Sequence, residues 1–87
     1  MKIKGKVVLI TGGASGIGRI MGRRCLEKGA ESLLIWDINP QSIAATCHEF
    51  ASLGTVIGTQ VDVSDLAQIQ AAYAKAKQEA GRVDLLI

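Results

Sequence analysis

Aromatic residues are scarce: Trp36, Phe50 and Tyr73 are the whole set in 87 residues. That leaves the core to aliphatic side chains and argues against a surface that stacks the bases of single-stranded nucleic acid. Two cysteines, Cys25 and Cys47, cannot build a disulfide scaffold. No Cys-x-x-Cys pair or His/Cys cluster has metal-ligand spacing, so no metal site is assigned. No apolar run reaches the roughly 18 residues of a membrane span. The opening Met1-Lys2-Ile3-Lys4-Gly5-Lys6 lacks the apolar stretch and cleavage signal of an export leader, so the expected location is the cytoplasm. Proline occurs once, as Pro40, and no repeat or low-complexity tract interrupts the chain.

What is present points to one small folded domain. Apolar residues make up 48% of the chain, too many for a disordered one. A domain this short buries only about 60% of its unfolded surface, so its core is thin. The net charge of +2 is unevenly spread. Residues 1–36 hold seven Lys/Arg against two Glu, a balance of +5, and residues 37–87 hold three against six acids, a balance of −3. A basic first half suits an anionic ligand but falls short of a nucleic-acid footprint, and most of these charges read as ordinary solvated side chains.

Short apolar runs alternate with stretches of helical period. Val7–Ile10 is a continuous apolar run, the mark of a strand covered on both faces. A glycine-rich turn follows over Gly12–Gly18. Ile17, Ile20, Met21 and Cys25 then recur at helical spacing, and Lys28-Gly29 closes that helix. Leu33–Trp36 is the second strand. Asn39-Pro40 pairs an N-cap with proline at the first helical position, and Ile43, Cys47, Phe50 and Ala51 form that helix's apolar stripe up to Gly54. Thr55–Val61 is the third strand. Ser64 caps the third helix, with Asp65 set favourably against its dipole. Leu66, Ile69, Tyr73 and Ala76 form its inner face, Gly81 stops it, and Val83–Ile87 begins a fourth strand. Strands joined by helices of this length lie parallel with right-handed crossovers. The expected class is α/β, a doubly wound parallel sheet in the order βαβαβαβ. The apolar run at Leu85-Leu86-Ile87 has no turn after it, which suggests the first part of a longer protein.

Thr11-Gly12-Gly13-Ala14-Ser15-Gly16-Ile17-Gly18 joins the first strand to the first helix. A phosphate bound there needs free backbone N–H groups and an approach unobstructed by side chains. Gly12 suits the tight turn, Gly16 lets the backbone come close to a pyrophosphate, Gly18 lets the helix pack on the sheet, and Ser15 adds a hydroxyl. A strict Gly-x-Gly-x-x-Gly fails, because Met21 stands at the third glycine position. A Walker loop fails too, because Arg19-Ile20 stands where Lys-Ser/Thr is required. The competing reading is a purely structural glycine turn, which the strand–loop–helix context disfavours. Asp37 ends the second strand, 25 positions after Gly12. A carboxylate there can accept both ribose hydroxyls of an adenosine and would repel a 2′-phosphate, which favours NAD over NADP, and the next residue, Ile38, is not basic. Asp37 can also be a mere helix-flanking acid. Asp62-Val63 follows the third strand and stands equally for an adenine contact and for part of a helix cap.

Together, Thr11–Gly18, Asp37, Asp62-Val63 and Arg82-Val-Asp-Leu-Leu-Ile87 resemble the N-terminal part of the classical short-chain dehydrogenase/reductase family. The resemblance covers essentially the whole chain. It implies a Rossmann-type fold, with residues 1–87 as the N-terminal part of a single NAD-binding domain. Gly12, Ser15, Gly16, Ile17 and Gly18 would meet the pyrophosphate, Asp37 and Ile38 the adenosine ribose, and Asp62 and Val63 the adenine. The implied activity is NAD-dependent hydride transfer between nicotinamide and a small-molecule carbonyl or alcohol, in a homo-oligomer with no nucleic-acid or membrane partner. The family's Asn-Asn-Ala-Gly stretch, catalytic Ser and catalytic Tyr-x-x-x-Lys are not found in the expected context, so no catalytic residue is assigned and the chain alone is expected to be inactive. Tyr73-Ala-Lys-Ala-Lys77 spells the last motif but falls on the third helix, with Tyr73 on its apolar stripe. His48, Cys25, Cys47 and Trp36 read as packing or surface residues. Two other readings remain: a non-catalytic nucleotide-binding module, and a self-associating truncated product with no ligand.

Overall fold

The computed structural model describes residues 2–87, and Met1 of the opening segment lies outside them. The chain runs β1 (Val7–Thr11), α1 (Gly16–Glu27), β2 (Ser32–Asp37), α2 (Pro40–Phe50), β3 (Val56–Gln60), α3 (Leu66–Ala80) and β4 (Leu85–Leu86). All four strands are parallel, in the order β3-β2-β1-β4. The chain therefore steps outward from β1 to β3 and then returns to the other side of β1. Right-handed crossovers put the helices of the two directions on opposite faces of the sheet. Val8, Ile10, Leu33 and Ile35 accordingly pack with Cys25 and Leu26 of α1 and Ile43 and Phe50 of α2. Val7, Leu9, Leu34 and Trp36 point the other way, against Ala72 and Ala76 of α3. A strand covered on both faces has no polar side to show, which is why Val7–Ile10 is an unbroken apolar run.

The core is less purely aliphatic than the composition suggests. Phe50 is buried in one layer and Trp36 in the other. Two helices also bury different faces from those expected. On α1 the buried residues are Gly22, Cys25 and Leu26, while Ile17 and Ile20 are 76% and 65% exposed and Met21 lies at the surface. A Cβ on Gly22 would stand 2.9 Å from Leu33 Cδ2, so the helix seats itself on its smallest residue and its inward stripe is narrow. On α3 the seat is Ala72 and Ala76, with Ile69 and Ala80 packed beside them, whereas Leu66 and Tyr73 are exposed. Alanine again lets a helix lie closer than a large side chain would.

α2 begins as expected, with the Asn39 side chain accepting from Ser42 N–H and Pro40 in the first turn. Its buried residues are Ile43, Thr46 and Phe50, while Cys47 is half-buried and Ala51 exposed. α3 is capped one residue later than expected: Asp65 accepts from the Ala67 and Gln68 N–H groups. Strand ends extend by single hydrogen bonds, from Leu33 N–H to the Thr55 carbonyl and from Val61 N–H to the Asp37 carbonyl. Asp84 and Ile87 N–H likewise donate to the carbonyls of Val7 and Leu9. β3 approaches α2 so closely that a Cβ on Gly58 would stand 2.2 Å from Ile43 Cγ2 and 2.9 Å from Cys47 Sγ.

At the amino end of the sheet, Asp84 accepts from the Val7 N–H at 2.8 Å and from Arg82 Nε at 3.0 Å. Arg82 also donates to the Gly5 carbonyl and meets Glu31 at 3.4 Å. The Val7 N–H, helped by the Arg82 charge, holds the Asp84 carboxyl below the usual aspartate value. A group whose folded pKa is depressed stabilises the fold above its unfolded pKa and loses that contribution as pH falls through the folded one.

Asp84→Asn should therefore lower the urea midpoint at pH 7, and the gap from the parent should close as pH falls below about 3.8. Trp36 fluorescence across a pH series reads this, and a gap constant with pH would contradict it. Gly58→Ala should cost about 1–3 kcal/mol through overpacking between β3 and α2. An unchanged urea midpoint would contradict that close approach.

Candidate functional site

The sheet order reverses between β1 and β4, so the carboxyl end of β1, with that of β2 beside it, borders the position at which doubly wound sheets form a ligand crevice. The loop between β1 and α1 divides into two halves there. Its first three amides are taken by β2. Gly12 and Gly13 N–H donate to the Trp36 carbonyl at 2.7 and 3.4 Å, and Ala14 N–H donates to Asp37 Oδ2 at 3.1 Å. The second half opens α1. Ser15 is the N-cap, with extended backbone, but its side chain makes no capping bond. Arg19 N–H is the first to reach back, to the Ser15 carbonyl. Among the described residues, the N–H groups of Gly16, Ile17 and Gly18 meet no protein acceptor, as a helix's first turn dictates. The positive end of the helix dipole reinforces them.

The glycines make this shape possible. Gly12 and Gly16 hold φ of +67° and +53°, with open space where a Cβ would be. Gly18 differs from its expected role. A Cβ there would meet the Gly12 carbonyl oxygen at 2.3 Å, so Gly18 seats the helix on the loop, and Gly22 seats it on the sheet.

Asp37 faces this loop. Besides the Ala14 bond, its Oδ1 accepts from Ile38 and Asn39 N–H at 2.8 and 3.2 Å. Ile38 itself is exposed, and its carbonyl accepts from Gln60 Nε2. Asp62 makes no hydrogen bond to the loop or to Asp37 among the described residues. Its Oδ1 accepts from the Ser64 hydroxyl at 2.6 Å and the Ser64 N–H at 2.9 Å, and the hydroxyl bond leads in holding its carboxyl low. Val63, with Thr11, Trp36, Tyr73 and Leu86, lines an apolar groove of about 270 Å³ on the α3 face. Lys77 Nζ stands over the Tyr73 ring, 5.9 Å from its centroid.

Of the basic first half of the sequence, the three arginines of α1 are paired at the surface. Arg19 and Arg23 both meet Glu49 of α2, and Arg24 meets Glu27. No group of three His, Cys, Asp or Glu among the described residues could hold a metal, and no helix among them is long and apolar enough to cross a membrane.

A family model described as short chain dehydrogenase matches residues 6–87. The chain belongs to that family. It is 37% identical over 86 residues to 3beta-hydroxysteroid dehydrogenase 2 of Eggerthella lenta, covering 98% of this chain and 33% of the relative. It is 37% identical over 90 residues to the human 15-hydroxyprostaglandin dehydrogenase [NAD(+)], covering 100% of this chain and 34% of that one. The crystal structure of a short chain dehydrogenase/reductase from Burkholderia phymatum in complex with NAD superposes with a TM-score of 0.92 at 36% identity, over 99% of this chain and 31% of that one. The chain thus spans about a third of the length of the curated relatives it matches.

Two residues at this short-chain dehydrogenase crevice escaped the sequence reading. Ala14 is buried in the α1–α2 layer and bonds Asp37. Thr46 of α2 is buried and donates its hydroxyl to the Ala14 carbonyl at 3.4 Å. A buried threonine between Ile43 and Phe50 was the available signal, since a hydroxyl in an apolar stripe needs a partner.

Gly18→Ala should drive the Gly12 carbonyl away and loosen the first half of the loop. Amide hydrogen exchange at Gly12, Gly13 and Ala14 should quicken relative to the β1 amides, and unchanged exchange would show that the loop absorbs a methyl group there.

Proposed function

We propose that this chain is the N-terminal, cofactor-binding part of a single Rossmann-type domain in an NAD-dependent short-chain oxidoreductase. One observation carries the proposal: the unpaired N–H groups of Gly16, Ile17 and Gly18 adjoin a carboxylate, Asp37, tied to the same loop. Those amides and the uncommitted Ser15 hydroxyl would receive the pyrophosphate. The open space over Gly12 and Gly16 gives it room. Asp37 would accept from the adenosine ribose, beside Ile38. Its Oδ2 takes one loop amide, and a carboxylate oxygen has capacity for a second donor. Asp62 and Val63 would flank the adenine. Asp62 has Oδ1 committed to Ser64, which leaves Oδ2 for an amino group.

The choice of NAD rests on Asp37, whose negative charge opposes a 2′-phosphate, and on the lack of a basic side chain at Ile38. Arg19 and Arg23, the cations of α1 nearest the loop in sequence, are engaged by Glu49. The human relative named for NAD(+) and the Burkholderia structure holding NAD support the same choice. When bound, the nicotinamide supplies the hydride chemistry, and the residues of this chain bind and orient its nucleotide end. The partner in hydride transfer would be a small-molecule carbonyl or alcohol. Two relatives at equal identity are named for a steroid and a prostaglandin, so the substrate would be selected outside the matched third. Residues 1–87 supply no assigned catalytic group, and we expect the chain alone to bind nucleotide without turnover. Cytoplasmic location and homo-oligomeric assembly belong to the same proposal and rest on family membership.

Titration with NAD and NADP tests the reading. The chain should bind NAD more tightly than NADP. Asp37→Ala should weaken NAD by about tenfold or more, the scale of a lost hydrogen bond to a charged group, and should narrow the gap to NADP. An unchanged NAD-to-NADP ratio would remove Asp37 from the site.

A further inference from the structure

We infer that Thr46 is a positioning residue for the nucleotide site, acting through Ala14 on both the loop amides and Asp37. The inference rests on the cofactor reading above. Thr46 is 1% exposed and lies on the buried face of α2 with Ile43 and Phe50. A helical threonine often turns its hydroxyl to the carbonyl one turn back. Here the hydroxyl instead leaves its own helix and donates to the Ala14 carbonyl, 32 positions earlier and 3.4 Å away. No other partner of that hydroxyl is present among the described residues, and a buried hydroxyl does not forgo its one acceptor.

Ala14 is thereby gripped on three sides. Its methyl is buried in the α1–α2 layer, its N–H donates to Asp37 Oδ2 at 3.1 Å, and its carbonyl accepts from Thr46. Two consequences follow from peptide geometry. In a planar trans peptide the C=O and the following N–H point in opposite directions. Thr46 draws the Ala14 carbonyl toward α2, so the Ser15 N–H faces away from α2. With both flanking peptides fixed, the Ala14 N–H also stays aimed at Asp37, and the carboxylate keeps one orientation. Thr46 touches neither pyrophosphate nor ribose; it fixes the Ala14 peptides, which lead into Ser15 and the first turn of α1 on one side and hold Asp37 on the other.

The test combines Thr46→Val, Thr46→Ser and Asp37→Ala, singly and with Thr46→Val on the Asp37→Ala background. Each variant is read by NAD and NADP titration and by amide exchange at Ala14 without nucleotide. Trp36 fluorescence verifies folding. Thr46→Val should weaken NAD roughly threefold to tenfold, the range for one ordinary hydrogen bond, narrow its advantage over NADP, and speed Ala14 exchange. Thr46→Ser, which keeps the hydroxyl, should recover most of both. On the Asp37→Ala background, Thr46→Val should leave the NAD-to-NADP ratio where Asp37→Ala put it. A folded Thr46→Val with parental affinity and ratio overturns the inference. So does Thr46→Ser falling as far as Thr46→Val, or a ratio effect undiminished without Asp37. A parent chain indifferent between NAD and NADP overturns the cofactor reading, and Thr46's nucleotide role with it. Parental preference intact in Thr46→Val overturns only the role of Thr46.

Discussion

The end of β2 is what the crevice depends on. Three consecutive loop amides, at Gly12, Gly13 and Ala14, are bound by the Trp36 carbonyl and the Asp37 carboxylate. Those bonds fix where the loop turns, and the turn decides which amides remain. Ser15 follows as the N-cap, and the three amides after it, at Gly16 to Gly18, are left by the geometry of a helix start. Asp37 therefore has a structural task before any ligand arrives: it buttresses the loop from which the unpaired amides emerge. Holding it there are the amides of Ile38 and Asn39 on one oxygen and that of Ala14 on the other. A carboxylate so held is preorganised, which reduces the ordering cost of meeting a polar ligand.

The fold was readable because its signals are covalent in origin or tied to simple periods. Val7–Ile10 reads as a strand buried on both sides, Asn39-Pro40 can open a helix with little strain, and Gly29, Gly54 and Gly81 stand where elements stop. Parallel order and layer placement then follow from connection length and handedness. That the glycine loop and Asp37 come together was legible for the same reason, since a strand–helix junction and the end of the neighbouring parallel strand share one end of the sheet. The family match over residues 6–87 and the superposed Burkholderia structure agree with that reading of fold and kinship.

Helix faces were less legible, because periodicity counts large apolar residues and says nothing of how near a helix can come. α1 and α3 sit on Gly22, Ala72 and Ala76, and close seating of that kind leaves Ile20, Leu66 and Tyr73 outside it. Thr46 and Asp84 were missed on other grounds. Each serves a backbone group distant in sequence, the Ala14 carbonyl and the Val7 N–H, and a long-range partner leaves no local pattern. The shift of the α3 cap from Ser64 to Asp65 is a contest between adjacent good caps, in which the Asp65 carboxylate accepts from both the Ala67 and Gln68 N–H groups.

The two ends of the sheet are fastened by different forces. At the crevice the ties are mainly short backbone contacts, with one carboxylate among them. At the opposite end Arg82 gathers Gly5, Glu31 and Asp84 at an exposed surface. Solvent-exposed charge is screened by dissolved ions, whereas buried neutral contacts hardly respond. Raising the ionic strength should thus slacken the sheet from its amino end, the end away from the crevice.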